Sequence, residues 1–275
     1  MFSLIASEFS FARVLVLLCI LAVSALMSGL SGFGFSAIGA LCLWLLPPKL
    51  AVPLLMSLST VNQLVSLRQL KAQLRPRKQW WPDGPAPYLL GGCVGAPVGL
   101  VVLHSLPTST LVAILGGILI VYAAYSMFNP QSLSVSSTGN WPGSVLVGAA
   151  GGVIGGFTAF PGAAVVIWAG LLRMPKGESR AIVQPYILGL QVVSLAILAV
   201  EHPETFNDSY WALLLIAIPV VLPCTLLGGS LYKSLSDFNF RRVTLMLLGA
   251  SGLGLLAKAA GVIAALPAAA PAAVR

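Results

Sequence analysis

Two clusters of glycine and small polar residues each interrupt a long apolar run. The first lies within residues 12–46 and the second within residues 143–172. Glycine opens backbone conformations that other residues avoid, and a broken helix leaves amide N–H groups without partners inside the helix. A helix that starts at such a break directs these amides, and about half a positive charge, at its surroundings. The chemistry that suits this place is the binding of a small oxyanion.

The candidate substrate-binding residues lie in the two breaks and in the apolar segments that follow them. They are Gly29, Ser31, Gly32, Gly34, Ser36, Asn62, Gln63, Gly155, Gly156, Thr158, Gly162, Gln184 and Gln191. Ser31 and Thr158 would add hydroxyl donors. The glycines also suit close packing between helices. The four amide side chains suit either substrate binding or ties between helices, so both alternatives stay open at this point.

Patterns typical of enzymes and metal sites are absent from the sequence. The cysteines lie in apolar stretches without a C-x-x-C pair, and His104 and His202 are far apart in the chain. No H-E-x-x-H, G-x-S-x-G or G-x-x-x-x-G-K-[ST] pattern occurs. We therefore predict a protein that is not an enzyme, with no catalytic residue, no cofactor and no metal site.

The composition places these breaks in a membrane protein. Hydrophobic residues make up 58% of the 275 residues and charged residues only 8%, against about 25% charged residues in soluble domains. Spanning segments are predicted at about 50–67, 86–103 and 108–128, and again at about 181–200, 209–232 and 243–264. The net charge of +8 comes from short loops between apolar runs, so membrane lipid and not nucleic acid is the expected partner.

The two halves of the chain have the same pattern of segments. A shift of 128 residues places Gly34 on Gly162 and Gln63 on Gln191, and each half has a broken block followed by three spans. We predict a first transmembrane repeat at residues 1–128, a linker at 129–141, a second repeat at 142–265 and a disordered Ala/Pro tail at 266–275.

The basic residues predict that the two repeats have opposite orientations. Arg68, Lys71, Arg75, Arg77 and Lys78 lie in the loop that ends at Asp83, whereas the equivalent loop 201–208 has no Lys or Arg. Basic short loops remain cytoplasmic, and two further pairs of equivalent loops alternate in the same way. The expected fold is an all-α integral membrane protein with two inverted-topology repeats. Each repeat has a glycine-broken helical hairpin followed by three transmembrane helices, and the site lies where the broken helices meet.

The chain resembles the sulfite exporter TauE/SafE family of bacterial membrane permeases. The resemblance rests on residues 28–34 (SGLSGFG), on residues 151–157 (GGVIGGF) with Pro161 and Gly162, and on the two-half layout across residues 12–264. Members often carry further glycines where this chain has residues 157–160 (FTAF). The resemblance implies movement of sulfite, sulfoacetate and related sulfur anions across the membrane.

These observations predict a secondary transporter and exporter of small sulfur-containing anions in the bacterial inner membrane. The alternatives are a membrane-embedded enzyme or assembly factor, or a carrier of another small solute or a metal cation. No acidic residue lies in the middle of a predicted span. Proton-coupled carriers often have a carboxylate there, so we expect that no intramembrane carboxylate relays protons. A proton carried on the anion itself is one remaining source of coupling.

Overall fold

The computed structural model describes residues 10–69, 80–128, 141–172, 174, 176–231, 249 and 252–261. Within these ranges, the side chains of residues 31, 69, 122, 125–128, 170 and 176 are not described. The predicted linker apart from Trp141, the predicted tail, and most of the basic loop residues lie outside the described part of the chain. Trp141, which the sequence assigns to the linker, begins a helix.

The described residues form α-helices joined by short turns, with no strand among them. The helices are α1 (Phe11–Ser31), α2 (Phe35–Gly39, extended by a 3-10 turn at Ala40–Trp44), α3 (Pro48–Gln69), α4 (Pro85–Ser105), α5 (Thr108–Phe128), α6 (Trp141–Thr158), α7 (Gly162–Leu171), α8 (Lys176–Glu201), α9 (Asp208–Leu231) and α10 (residues 252–259). Five of them, namely α1, α3, α4, α8 and α9, are long and apolar enough to cross a membrane.

Prolines mark several of the helix ends. Pro48 and Pro85 are the first residues of α3 and α4, where the missing N–H of proline has no cost. Leu106, the residue after the end of α4, has an extended conformation, as expected for a residue before proline. The order of described elements is the same in both halves: a long helix, a break, a short helix, and then three further helices.

A late helix of each half packs against the first helix of the other half. Helix α4 packs most extensively against α6, the first helix of the second half, while α9 packs against α1, the first helix of the first half. Glycines permit both contacts. A Cβ atom on Gly95 would lie 2.1 Å from the Ala149 carbonyl oxygen, and one on Gly228 would lie 2.1 Å from the Leu26 carbonyl oxygen. Small residues bring the helix backbones together in this way.

Candidate functional site

The first break is narrower than the glycine cluster suggests. Helix α1 continues through Gly29 and ends at Ser31, and Gly32 follows in the left-handed region with φ of +79°. The Gly32 N–H donates to the Ser28 carbonyl at 2.7 Å, which closes the last turn of the helix. Gly34, with φ of +91°, then leads into α2. Both positions require the conformational freedom of glycine.

The second break ends its first helix in the same way as the first break, but it has an alanine in the left-handed position. Helix α6 ends at Thr158, and Ala159 follows with φ of +58°. The Ala159 N–H donates to the Gly155 carbonyl at 2.8 Å, as Gly32 does in the first break. Left-handed backbone is costly for a residue with a Cβ atom. The family resemblance had pointed to glycines in this segment, and the backbone adopts a glycine-like conformation without one.

A buried glutamine supports the carbonyl of each break. Gln63 of α3 donates from Nε2 to the Gly32 carbonyl at 3.2 Å, and Gln191 of α8 donates from Nε2 to the Ala159 carbonyl at 2.8 Å. Both side chains are 1% exposed. These are the two glutamines that coincide in the sequence repeat, and each satisfies a carbonyl that a broken helix leaves without an internal partner.

Helix α8 contacts both breaks along one face. Gln184 donates from Nε2 to the Gly32 carbonyl at 3.3 Å, and Gln191 lies seven residues further on. Seven residues correspond to about two turns, or about 10 Å, on the same side of a helix. The structure therefore brings together Gly32, Gln63 and Gln184 at one break, with Gln191 and the second break on the same face of α8.

Arg180 also belongs to this site, although it is not among the candidate residues and lies just before the span predicted at about 181–200. It lies in the first turns of α8, half-buried, and its Nη2 donates to the Leu30 carbonyl at 2.7 Å. A Cβ atom on Gly32 would lie 2.8 Å from Arg180 Nε and 2.5 Å from Gln184 Nε2. The spacing of four residues between Arg180 and Gln184, which places both on one helix face, is the sequence signal that identifies it.

Asn62, next to Gln63 in sequence, serves a different purpose. Its Nδ2 donates to the Ser28 hydroxyl at 2.6 Å, and its Oδ1 accepts from the Thr225 hydroxyl at 2.7 Å. All three side chains are fully buried. Of the two alternatives left open by the sequence, the contacts favour a tie between helices, here α1, α3 and α9.

Three of the predicted glycines lie in close contacts, two of them between helices and one within the second break. A Cβ atom on Gly29 would lie 2.3 Å from the Thr225 carbonyl oxygen, one on Gly156 2.7 Å from the Gly99 Cα, and one on Gly155 2.5 Å from the Pro161 Cβ. These distances favour close packing for the three positions. Gly162 begins α7, where a Cβ would lie 2.8 Å from the side chain of Ile187.

The three candidate residues with hydroxyl groups lie in different environments. Thr158 donates from Oγ1 to the Ile154 carbonyl at 2.6 Å and accepts from the Phe160 N–H at 3.0 Å, so its hydroxyl completes the end of α6. Ser36 is buried in α2. The Ser31 side chain lies outside the described residues, and its role as a donor stays a prediction.

The first break thus combines a permanent positive charge with amide donors at a buried interruption of a membrane helix. Arginine is charged at every physiological pH, and an environment of this kind suits an anion. In the part of the chain that the structure describes, no group of three or more His, Cys, Asp or Glu residues is arranged to hold a metal ion.

The fold and the breaks define a multi-pass helical membrane protein with paired interrupted helices. The family model of the sulfite exporter TauE/SafE matches residues 16–255, so the chain belongs to this family. Membership implies a membrane transporter of sulfur anions such as sulfite. The search of curated proteins and the search of solved structures gave no match.

Proposed function

We propose that this protein is a secondary transporter that exports small sulfur-containing anions, such as sulfite or sulfoacetate, across the bacterial inner membrane. The observation that carries the proposal is the position of Arg180. Its guanidinium group donates to the Leu30 carbonyl at the end of α1, within a turn of the Gly32 break. A guanidinium group makes strong, charge-assisted hydrogen bonds to anions, and this one lies beside the break.

The amides of Gln63 and Gln184 complete the donor set. Each amide nitrogen carries two hydrogens, and each donates one of them to the same carbonyl, that of Gly32. Donors that are held in place before the anion arrives lose little entropy on binding. The second break, supported by Gln191, would form the opposite wall of the pathway.

We also propose that the two halves have opposite orientations, and a stacked histidine pair supports this. Helix α4 starts next to the loop that follows α3 and ends beside His104. The His104 ring stacks on His202 with ring centroids 3.7 Å apart, and His202 begins the loop that follows α8. The sequence repeat predicts that α8 is the counterpart of α3. On that assignment, residues 80–84, which precede α4, and the loop after α8 lie at opposite ends of α4, as expected for inverted repeats.

The proposed transport uses no carboxylate inside a span to relay protons. The positions of the described acidic residues are consistent with this. These residues are Asp83, Glu178, Glu201, Glu204 and Asp208, all exposed and all in loops or in the end turns of helices. The driving force would then be the anion gradient, the membrane potential, or a proton that travels on the anion.

Flux measurements with purified protein in liposomes test the proposal. Sulfite, sulfoacetate, thiosulfate and sulfate are offered separately, and export is followed from vesicles of known protein orientation. We expect flux of at least one sulfur anion above that of protein-free liposomes. Flux of a metal cation with no flux of any sulfur anion would favour the alternative of a cation carrier. Chemical conversion of the solute would favour an enzyme.

A further inference from the structure

The amide of Gln63 leaves one buried acceptor without a partner. Its Nε2 donates to the Gly32 carbonyl at 3.2 Å, while Oε1 has no hydrogen-bond partner among the described residues. The Gly32 carbonyl fixes this orientation, because a flipped amide would place one acceptor against another. The Gln63 side chain is 1% exposed, so its Oε1 calls for a donor from something that enters the site.

The two breaks differ in whether their glutamine has an unpartnered oxygen. Gln191 makes the equivalent bond to the Ala159 carbonyl at 2.8 Å, and it leaves no such buried acceptor. The first break also receives Arg180 and Gln184 from α8. It therefore presents positively polarised donors together with one acceptor, whereas a site built for a fully ionised oxyanion would present donors alone.

We propose that the transported anion binds as a protonated monoanion, with its hydroxyl group donating to Gln63 Oε1. This inference rests on the proposed function and narrows its substrate. Hydrogen sulfite in its hydroxyl-bearing form has both a hydroxyl donor and negatively charged oxygens, which Arg180 and Gln184 would bind. The sulfite dianion, sulfate and a simple sulfonate present acceptors only, so they would leave Gln63 Oε1 unpaired and repel it.

The pH dependence of transport would come from protonation of the substrate and not of the protein. Arg180 of α8 keeps its charge throughout the relevant range. The break itself, at Gly32 to Gly34, has no titratable side chain, and Arg68 of α3 lies exposed more than one turn beyond Gln63. Each hydrogen sulfite would carry its proton across the membrane, which provides proton coupling without a carboxylate in a span.

The test compares sulfite with methanesulfonate and sulfate in proteoliposomes that have equal pH on both sides. At fixed total sulfite, we expect the wild-type rate to fall with the hydrogen sulfite fraction as the pH is raised from about 6 to about 8.5, with little flux of the other anions.

The Gln63→Met variant should lower the sulfite-to-methanesulfonate rate ratio by about tenfold or more, because a site that binds a substrate hydroxyl discriminates strongly against analogues without one. The Thr60→Val variant is the control. Thr60 lies one turn earlier on α3 and donates to the Met56 carbonyl of its own helix, so the ratio should not change.

The outcomes separate this inference from the proposed function. No flux of any sulfur anion contradicts both. Equal flux of sulfite and methanesulfonate at all pH values, or a ratio unchanged by Gln63→Met, leaves the transporter in place and overturns the inference. If Gln63→Met does not fold, the thermal unfolding of the wild-type protein decides. We expect stabilisation by sulfite at about pH 6 that weakens at about pH 8.5, and stabilisation by sulfate at both pH values would overturn the inference.

Discussion

Gln184 and Gln191 lie seven residues apart on α8, and each donates to the carbonyl at one of the two helix breaks. Because their acceptors are Gly32 in the first half and Ala159 in the second, one helix joins the interrupted segments of both halves. A displacement of α8 along its axis would change both breaks at once. In many secondary transporters, one repeat moves against the other around the binding site.

The two left-handed positions should differ in how strongly they respond to reciprocal substitutions. Gly32→Ala forces a Cβ atom into left-handed backbone and against Arg180 and Gln184. We expect it to lower the free energy of unfolding by roughly 1–2 kcal/mol and to reduce flux. Ala159→Gly removes the same strain at the second break and should change the stability by less than about 1 kcal/mol, in either direction, because the glycine also loosens the unfolded chain.

Unfolding temperatures in detergent measure both effects. The matched control is Gly117→Ala in α5, where a Cβ atom would meet nothing within 4 Å and alanine favours the helix. This variant should be as stable as the wild type or slightly more so. A Gly32→Ala protein with wild-type stability and flux would show that neither the conformation nor the contacts of Gly32 matter.

Asn62 should be important for stability and not for substrate affinity. Asn62→Leu leaves the buried Ser28 hydroxyl without this partner and removes one from Thr225, so we expect a loss of about 1–3 kcal/mol. The KM of the protein that remains folded should match that of the wild type. The Thr60→Val variant serves as the control for stability, since the hydrogen bond that the Thr60 hydroxyl makes among the described residues stays within α3. An increase in KM without a loss of stability would return Asn62 to the substrate site.

Cysteine labelling tests the opposed halves. In a background without Cys19, Cys42, Cys93 and Cys224, single cysteines replace the partly exposed residues Trp81 and His202. Trp81 lies in the loop before α4, and His202 lies in the loop after α8. We expect a membrane-impermeant maleimide to reach position 202 from outside intact cells and position 81 only after the membrane is opened. Labelling of both positions from the same side would contradict inverted repeats.

Glu204, which lies beside the stacked histidine pair, should make a small contribution to stability that depends on pH. A backbone hydrogen bond and then the His202 ring, 3.1 Å away, lower the pKa of Glu204 below its usual value. A carboxyl group with a lowered pKa stabilises the fold above its unfolded pKa, and this contribution is lost as the pH falls through the folded value. Wild type should therefore exceed Glu204→Gln slightly in unfolding temperature at neutral pH, and the difference should vanish in acid. The group is exposed, so added salt should also reduce the difference. A difference that grows in acid would exclude this cause.

Much of the fold could be predicted because membrane insertion depends on composition and spacing. The long apolar runs predicted spanning helices, and the family match confirms a membrane protein of this class. The coincidence of Gln63 and Gln191 predicted equivalent positions, and the structure gives them equivalent hydrogen bonds. The opposite orientation of the halves stays a prediction that the histidine pair supports.

The site was harder to predict because it depends on the rotation of each helix. Gly32 and Gly156 look alike in sequence, yet Gly32 forms a break and Gly156 packs against α4. Asn62 and Gln63 are neighbours, but a helix turns by about 100° between them, so they contact different partners. Arg180 was missed because a basic residue near a predicted loop usually reports membrane orientation. Only the rotation of α8 directs it toward Leu30.

The most direct test of the account is sulfite flux in proteoliposomes that contain Arg180→Gln, with Arg180→Lys measured beside it. If the guanidinium group binds the anion at the Gly32 break, Arg180→Gln should reduce kcat/KM by about 10- to 100-fold, since a charge-assisted hydrogen bond contributes roughly 1.5–3 kcal/mol. Arg180→Lys, which keeps the charge but not the planar donor pattern, should retain part of the activity. A monodisperse Arg180→Gln protein with wild-type flux would contradict the proposed site.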